Sequence, residues 1–251
     1  MDDIVGALAE QHAELRGLVS GLDEPGWQRP SRCDGWSVAD VVLHLAQTDD
    51  MAIASLEDRF DEIVARLAGS GSIPTTVDDA AAAAVAAERR ASGAAVLERW
   101  EANAARIRQL LLDSDPGRRV TWVAGTLSAR TLAATRLAEY WIHTGDVADA
   151  FDLTPQPAHR LRHIARLAWR TLPYAFERGG RQLSGPVAFD LRGPGGEPWR
   201  FAPDDAPTTT IRGDGLELCL VAARRVDPAD TSLGGEGPDV DAVLELVRTY
   251  A

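Results

Sequence analysis

The stretch DGWSVADVVLHLAQTDD, residues 34–50, decides how the chain is read. Between Val38 and Ala46 only Asp40 and His44 are polar. At about 100° per residue, Val38, Val41, Val42, Leu45, Ala46, Ile53 and Leu56 cover more than half of a helix circumference. Asp40, His44, Gln47 and Thr48 share the remaining sector. Ser37 followed by Asp40 resembles a capping box, so a helix is expected to start near Val38. The apolar periodicity carries it through Ala52 and Leu56 to about Leu67. His44 then has two readings. Either it lies on the wet face of an ordinary helix, or it points into a pocket where other residues meet it.

The residues able to meet it lie in RLAEYWIHTGDVADAF, 136–151. Glu139 and His143 stand at i and i+4 and project from one helix face. Leu137, Tyr140, Trp141, Ile142 and Val147 surround them, which marks this helix too as largely buried. Alone, the pair is an ordinary acid–histidine contact on a helix surface. If a bundle brings His44 against it, the three form a two-histidine, one-carboxylate set with positions left open, as in catalytic zinc and some non-haem iron sites. Asp40 and Asp146 are each candidates for orienting an imidazole through its other ring nitrogen, or for a surface acid or cap.

Outward from these stretches, the first 150 residues read as helices. Residues 2–22 carry Ile4, Leu8, Leu15, Leu18 and Leu22 at helical spacing. Pro25, Gly26 and Pro30 break the pattern, and GSGSIPTTVDD, 69–79, reads as a loop. An alanine-rich stretch from Asp78 leads into a helix ending before Asp115, its early part separable at Gly93. VTWVAGT reads as a brief extended piece, and a long helix is expected over about Ala129–Phe151. AHRLRHIARLAWRTLPYAFERGG, 158–180, reads as one more amphipathic helix. Beyond it, PVAFDLRG and PWRFA flank the turn GPGGE as a hairpin, TTTIRG is a further strand, and LELCLVAARR and DVDAVLELVRTYA are helices. The expectation is a mainly α chain: a helical bundle over 1–157, then a linking helix and a small α+β domain over 158–251.

Composition narrows the function classes. The chain of 251 residues has a net charge of −12, and all of its 26 basic side chains are arginine. A pI near 4.8 argues against nucleic acid and against an anionic membrane surface as partners. The two cysteines, Cys33 and Cys219, make no framework and no metal knuckle. The amino-terminal segment lacks the basic flank and apolar core of a signal peptide, and no apolar stretch approaches about 20 residues, so a cytoplasmic protein is expected. Monomer and homodimer are both compatible with the sequence.

GWSVADVVLHLAQTDD and RLAEYWIHTGDVADAF resemble the two signature stretches of the DinB-like superfamily, in the branch that contains mycothiol-dependent maleylpyruvate isomerase. GLDEPGWQRPSRCDGW resembles the same family's approach to the metal-bearing helix, and the segment from GPVAFDLRGPGGEPWRFAP through LELCLVAARR resembles its second domain. The chain looks most like an actinobacterial-type subgroup described only as metal-binding. The resemblance implies an up-and-down four-helix bundle whose metal, zinc in the isomerase, is held by His44, Glu139 and His143. It implies mycothiol, or a similar low-molecular-weight thiol, as cosubstrate, and a small electrophilic molecule as substrate. In the isomerase the metal-bound thiolate attacks a cis double bond, the adduct rotates, and elimination leaves the trans isomer; relatives join the thiol to electrophiles. It also implies an arginine in the second domain that holds a carboxylate. Arg224 is the nearest match, but the chain reads Ala-Arg-Arg where the family often reads Gly-Arg, so Arg225 competes with it. Two other readings keep the same ligands: a hydrolase or lyase using metal-activated water, and a metal- or small-molecule-binding protein without turnover.

Other residues are assigned structural roles. His12 is expected to be a partly buried structural histidine, and His159 and His163 an exposed i,i+4 pair with no carboxylate in AHRLRHIAR to join them. Cys219, among leucines, reads as core, and Cys33 as a loop thiol with nothing to mark it as reactive. Trp36 and Trp141 are expected to pack around the site. GPGG is a turn rather than a phosphate loop, because no lysine and hydroxyl residue follow it.

Overall fold

Ser37 caps the helix that carries His44. Its Oγ accepts from the Asp40 N–H at 3.2 Å, and Asp40 Oδ2 accepts from the Ser37 N–H at 2.9 Å, which completes the capping box. The computed structural model that shows this describes residues 1–68, 76–123 and 125–249. The chain divides into two compact units, Met1–Pro155 and Gln156–Tyr250.

The first unit runs α1 (Asp2–Val19), α2 (Glu24–Trp27), α3 (Val38–Leu56), α4 (Phe60–Ala68), α5 (Val77–Glu88), α6 (Gly93–Asp113), β1 (Arg119–Trp122), β2 (Gly125–Ser128) and α7 (Ala129–Asp149). α1, α3, α6 and α7 form the bundle: α3 packs on α6 and α7, and α1 on α7 and α6. The α1 stripe of Ile4, Leu8 and Leu15 is buried as its spacing requires, but the helix ends at Val19, which is buried in place of Leu22. The helix expected to continue from α3 to Leu67 is interrupted. Glu57 closes α3, Asp58 turns left-handed at φ 58°, and the Arg59 N–H returns to the Ala54 carbonyl before α4 begins. The loop expected over 69–79 falls mostly outside the described residues, and Thr76 already caps α5. The extended piece at VTWVAGT is an antiparallel hairpin, Arg119 opposite Ser128.

Gly93 opens α6 after the Ser92 cap, and its lack of a Cβ is structural. A Cβ there would lie 2.2 Å from Cγ of Trp27, a ring that is 3% exposed. Deeper in the bundle, a polar layer ties three helices together. Asp49 of α3 accepts from Arg136 Nε of α7 at 3.1 Å and from the Tyr140 hydroxyl, which in turn accepts from Trp100 Nε1 of α6 at 2.8 Å. Asp49, Arg136 and Tyr140 are fully buried, so each depends on the others for solvation. His12 is buried against Tyr140, ring centroids 4.1 Å apart, with the Arg108 guanidinium on Nδ1.

The second unit contains α8 (Leu161–Arg170), α9 (Leu172–Arg178), β3 (Val187–Arg192), β4 (Pro198–Phe201), β5 (Thr209–Asp214), α10 (Gly215–Ala222), a 3₁₀ turn over Pro228–Asp230, β6 (Gly234–Glu236) and α11 (Val240–Leu246). The single amphipathic helix expected over 158–180 is two helices, because Pro173 sits at the start of α9 and cannot continue α8. The sheet order is β4-β3-β5-β6. β3 and β4 pair as the expected hairpin, Phe189 opposite Phe201, and β5 runs parallel to β3. The edge strand β6 was not foreseen; its triplet Gly-Gly-Glu has no apolar alternation. Cys219 is core as expected, and burial pushes its thiol far above the usual range.

Two stability predictions follow from the bundle. Gly93→Ala is expected to destabilise the fold by about 1–3 kcal/mol, because the Trp27 ring must move; thermal unfolding measures this. His12 is held well below its usual pKa, by burial first and then by the charges of Arg108 and Arg136. The unfolded chain therefore binds more protons once pH falls below about 6.5, and native stability drops on acidification by at most about 1.4 kcal/mol per pH unit from this group. Urea titrations at pH 7 and pH 5 are expected to show a smaller loss in His12→Gln than in the parent; parallel losses would contradict the assignment.

Candidate metal centre

α3 and α7 bring His44, Glu139 and His143 to one place. Glu139 Oε2 lies 3.9 Å from His44 Nε2 and 3.6 Å from His143 Nε2. The imidazole centroids are 5.1 Å apart and nearly perpendicular. One donor atom from each residue falls within 4.8 Å of the other two. The side chains retain 11%, 19% and 12% exposure respectively, so the cluster is recessed but reachable.

Both carboxylate–imidazole separations are longer than a good hydrogen bond. They are close to the edge of a tetrahedron drawn around zinc with bonds of about 2.0–2.1 Å, an edge of about 3.3 Å. Two neutral-nitrogen donors and one anionic oxygen are the donor types zinc takes in open catalytic sites. The residues present therefore fit a divalent metal of this class. Electrostatics acts differently on each member of the set. Burial opposes ionisation of Glu139, but the pull of His143 and His44 outweighs it and holds the carboxyl well below its usual range. Burial also lowers His44, which favours its neutral, ligating form, whereas at His143 the effect of burial is outweighed by the contacts with Asp146, Cys33 and Glu139, which raise it.

The helix sector that carries His44 is covered rather than solvated. Asp40, beyond its capping role, accepts from Arg89 Nε at 3.0 Å, and Gln47 Nε2 donates to the Ala84 carbonyl of α5 at 2.9 Å. Of the two acids considered for orienting an imidazole, Asp40 is thus occupied elsewhere. Asp146 is the one that touches: its Oδ2 lies 3.0 Å from His143 Nδ1.

The loop between α2 and α3 supplies two more neighbours. A β-bridge between Pro30 and Ser37 and the Ser31 N–H to Trp36 carbonyl bond close it at its neck, and Gly35 turns it at φ 72°. Trp36 packs on the His44 ring, centroids 5.3 Å apart. Cys33 Sγ lies 3.2 Å from Asp146 Oδ2 and 3.9 Å from His143 Nδ1. The sequence offered no periodicity or spacing that tied Cys33 to a helix more than a hundred residues away. The Arg32 N–H donates to the Asp146 carbonyl at 3.2 Å, which fastens the same loop to α7.

Arg224 lies in the second unit, exposed at the end of α10, in a left-handed conformation at φ 58°. It lines a cavity of ≈ 480 Å³ with Asp227, Pro228, Asp241, Leu244 and Glu245. Arg225 is half-buried and donates to the Ala223 carbonyl at 3.1 Å. His159, exposed as expected, meets a carboxylate from outside its own segment, Glu197 of the hairpin at 3.1 Å, because the fold returns β4 to the start of α8. Among the described residues that contact joins no metal-competent group; the groups found are His44–Glu139–His143 and Cys33–His143–Asp146. No helix among them is long and apolar enough to cross a membrane.

Comparison with known proteins agrees with this layout. Residues 8–148 match the family described as "Mycothiol maleylpyruvate isomerase N-terminal domain". Two uncharacterised proteins of Mycobacterium tuberculosis, from strains CDC 1551 / Oshkosh and ATCC 25618 / H37Rv, are each 30% identical over 248 residues, covering 98% of this chain and 95% of the relative. The crystal structures of the mycothiol-dependent maleylpyruvate isomerase and of a histidine-to-alanine mutant of it superpose with a TM-score of 0.61 at 17% identity, over 95% of both chains. That likeness is one of fold: a DinB-like helical bundle followed by a small α+β part.

A ligand that binds only the native cluster raises stability with its concentration. Zinc at about 100 times its dissociation constant is expected to add about 2.7 kcal/mol to the unfolding free energy of chelator-treated protein. His44→Ala is expected to remove most of that increment. Equal zinc stabilisation of parent and variant in differential scanning calorimetry would place the ion elsewhere.

Proposed function

The chain belongs to the mycothiol-dependent maleylpyruvate isomerase family, and on that premise we propose that it is a metal- and thiol-dependent enzyme acting on a small electrophilic molecule. The observation that carries the reading is the convergence of His44, Glu139 and His143 within a fold of this family. Zinc is the metal the donor set suits best. When bound, it supplies positive charge that keeps a low-molecular-weight thiol ionised near neutral pH.

The chain's own residues do the rest. His44 and His143 offer neutral nitrogens and Glu139 one negative charge, so the centre keeps net positive charge for an anionic sulfur. Trp36 walls the site beside His44 and limits access of water. In an isomerisation, the thiolate sulfur forms a C–S bond to one carbon of a conjugated cis double bond, and the electron pair moves onto the neighbouring carbonyl. Rotation about the resulting single bond and return of the pair expel the thiolate and leave the trans product, with no net redox change. In a conjugation the C–S bond persists and the adjacent carbon takes a proton. Arg224 is assigned to hold a carboxylate of the substrate, with Arg225 as the competing assignment.

Cobalt(II)-substituted protein titrated with mycothiol tests the thiol. A new sulfur-to-metal charge-transfer band is the expected result. An unchanged spectrum with mycothiol and with other small thiols would instead point to water chemistry, or to binding without turnover. Glu139→Ala is expected to abolish stoichiometric metal retention, measured on purified protein by elemental analysis; full occupancy in that variant would overturn the ligand set. Once an anionic electrophile is found to turn over, Arg224→Ala is expected to raise KM more than Arg225→Ala does. The reverse order would move the role to Arg225.

A further inference from the structure

Cys33, Asp146 and His143 form a second chain of contacts directly behind the cluster. His143 uses its two ring nitrogens differently. Nε2 faces Glu139 at 3.6 Å, and Nδ1 lies 3.0 Å from Asp146 Oδ2. Asp146 is 1% exposed, so its carboxylate is solvated by protein groups rather than by bulk water. The same Oδ2 also accepts from the Cys33 thiol at 3.2 Å. Asp146 is held from its backbone as well, through the Arg32 N–H on its carbonyl. The loop that delivers these two contacts is closed at its neck, and the Cys33 N–H bonds back to Ser31 Oγ at 3.1 Å.

A carboxylate can only accept, so the nitrogen that meets it must carry the proton. We propose that Asp146, steadied by the Cys33 thiol, is the positioning residue of the centre: it holds a proton on His143 Nδ1 and so leaves Nε2 as the nitrogen presented to Glu139 and His44. A buried imidazole without such an acceptor can carry its proton on either nitrogen and can rotate about its ring bond. Each wrong state removes a donor from the cluster. Cys33 thereby acquires a role that differs from nucleophilic attack: its thiol proton engages Oδ2 and limits the rotation of the carboxylate. The spacing is consistent with this, because on α7 Asp146, at i+3, reaches Nδ1 of the ring while Glu139, at i−4, faces Nε2.

The consequence for metal affinity rests on the functional reading above; the protonation state of the ring does not. Nitrogen-15 spectra of metal-free wild-type protein are expected to show a proton on His143 Nδ1. An unprotonated Nδ1 would overturn the proposal without any variant having to fold. Zinc affinity by chelator competition gives the second arm. Asp146→Ala is expected to bind about 10–100-fold more weakly than wild type. Cys33→Ala is expected to fall between the two, and Cys33→Ser, which keeps an O–H donor, to retain wild-type affinity. Wild-type affinity in both alanine variants, with unchanged metal-free circular dichroism, would reduce the Cys33–Asp146–His143 chain to a packing contact and sink the assignment. Wild-type protein that takes up no zinc would instead fail the functional reading, and the metal-free spectrum would still decide whether Nδ1 carries a proton.

Discussion

The buried ion pair between Asp49 and Arg136 is the constraint on which the rest of the bundle depends. It lies one turn from the cluster on both helices: Asp49 is five residues beyond His44 on α3, and Arg136 is three residues before Glu139 on α7. An uncompensated charge at either position would cost several kcal/mol, so α3 and α7 have one register in which both are satisfied. Tyr140 and Trp100 extend the condition to α6. In that register, and not one turn away, His44 faces Glu139. Polar groups in this layer thus spend stability on specificity, and the specificity is what assembles three donors from two distant segments.

A second condition acts from the loop before α3. The capping box that starts the helix also fixes where the loop ends, and the bridge between Pro30 and Ser37 fixes where it begins. Between these points the loop places Trp36 on one imidazole and Cys33 behind the other. Arg89, reaching from the end of α5 to Asp40 and to the Gly35 carbonyl, ties this corner to the next segment. The site is therefore enclosed by elements whose own positions depend on helix-cap chemistry. A preorganised donor set supported in this way loses little entropy when a cation or a substrate enters it.

The two units divide the problem of function differently. The bundle supplies a cluster whose donor chemistry is general, suited to holding a cation and an anionic ligand. The α+β unit supplies Arg224 in a strained left-handed turn, in a cavity that also carries Asp227, Asp241 and Glu245.

What was legible in the sequence is what depends on local spacing. The Ser37–Asp40 cap, the apolar stripes of α1, α3 and α7, the i,i+4 relation of Glu139 and His143, and the GPGGE hairpin all arise within a few residues, where helix and turn geometry are fixed by covalent structure. The signal at Pro173 was equally local, but the reading of a single helix over 158–180 ran through it, and the structure breaks there between α8 and α9. The interruption at Asp58 was not, because apolar residues resume in phase after it and only the left-handed turn redirects them. Long-range relations had no local signal at all. That His44 meets Glu139 followed from resemblance, not from periodicity. That Asp146 rather than Asp40 reaches an imidazole, that Cys33 stands behind it, and that Asp49 and Arg136 are paired in the core were decided only by tertiary packing. The physical reason is that a side chain's charge and partners depend on what is excluded from around it, and exclusion of water is a property of the assembled helices rather than of any one of them.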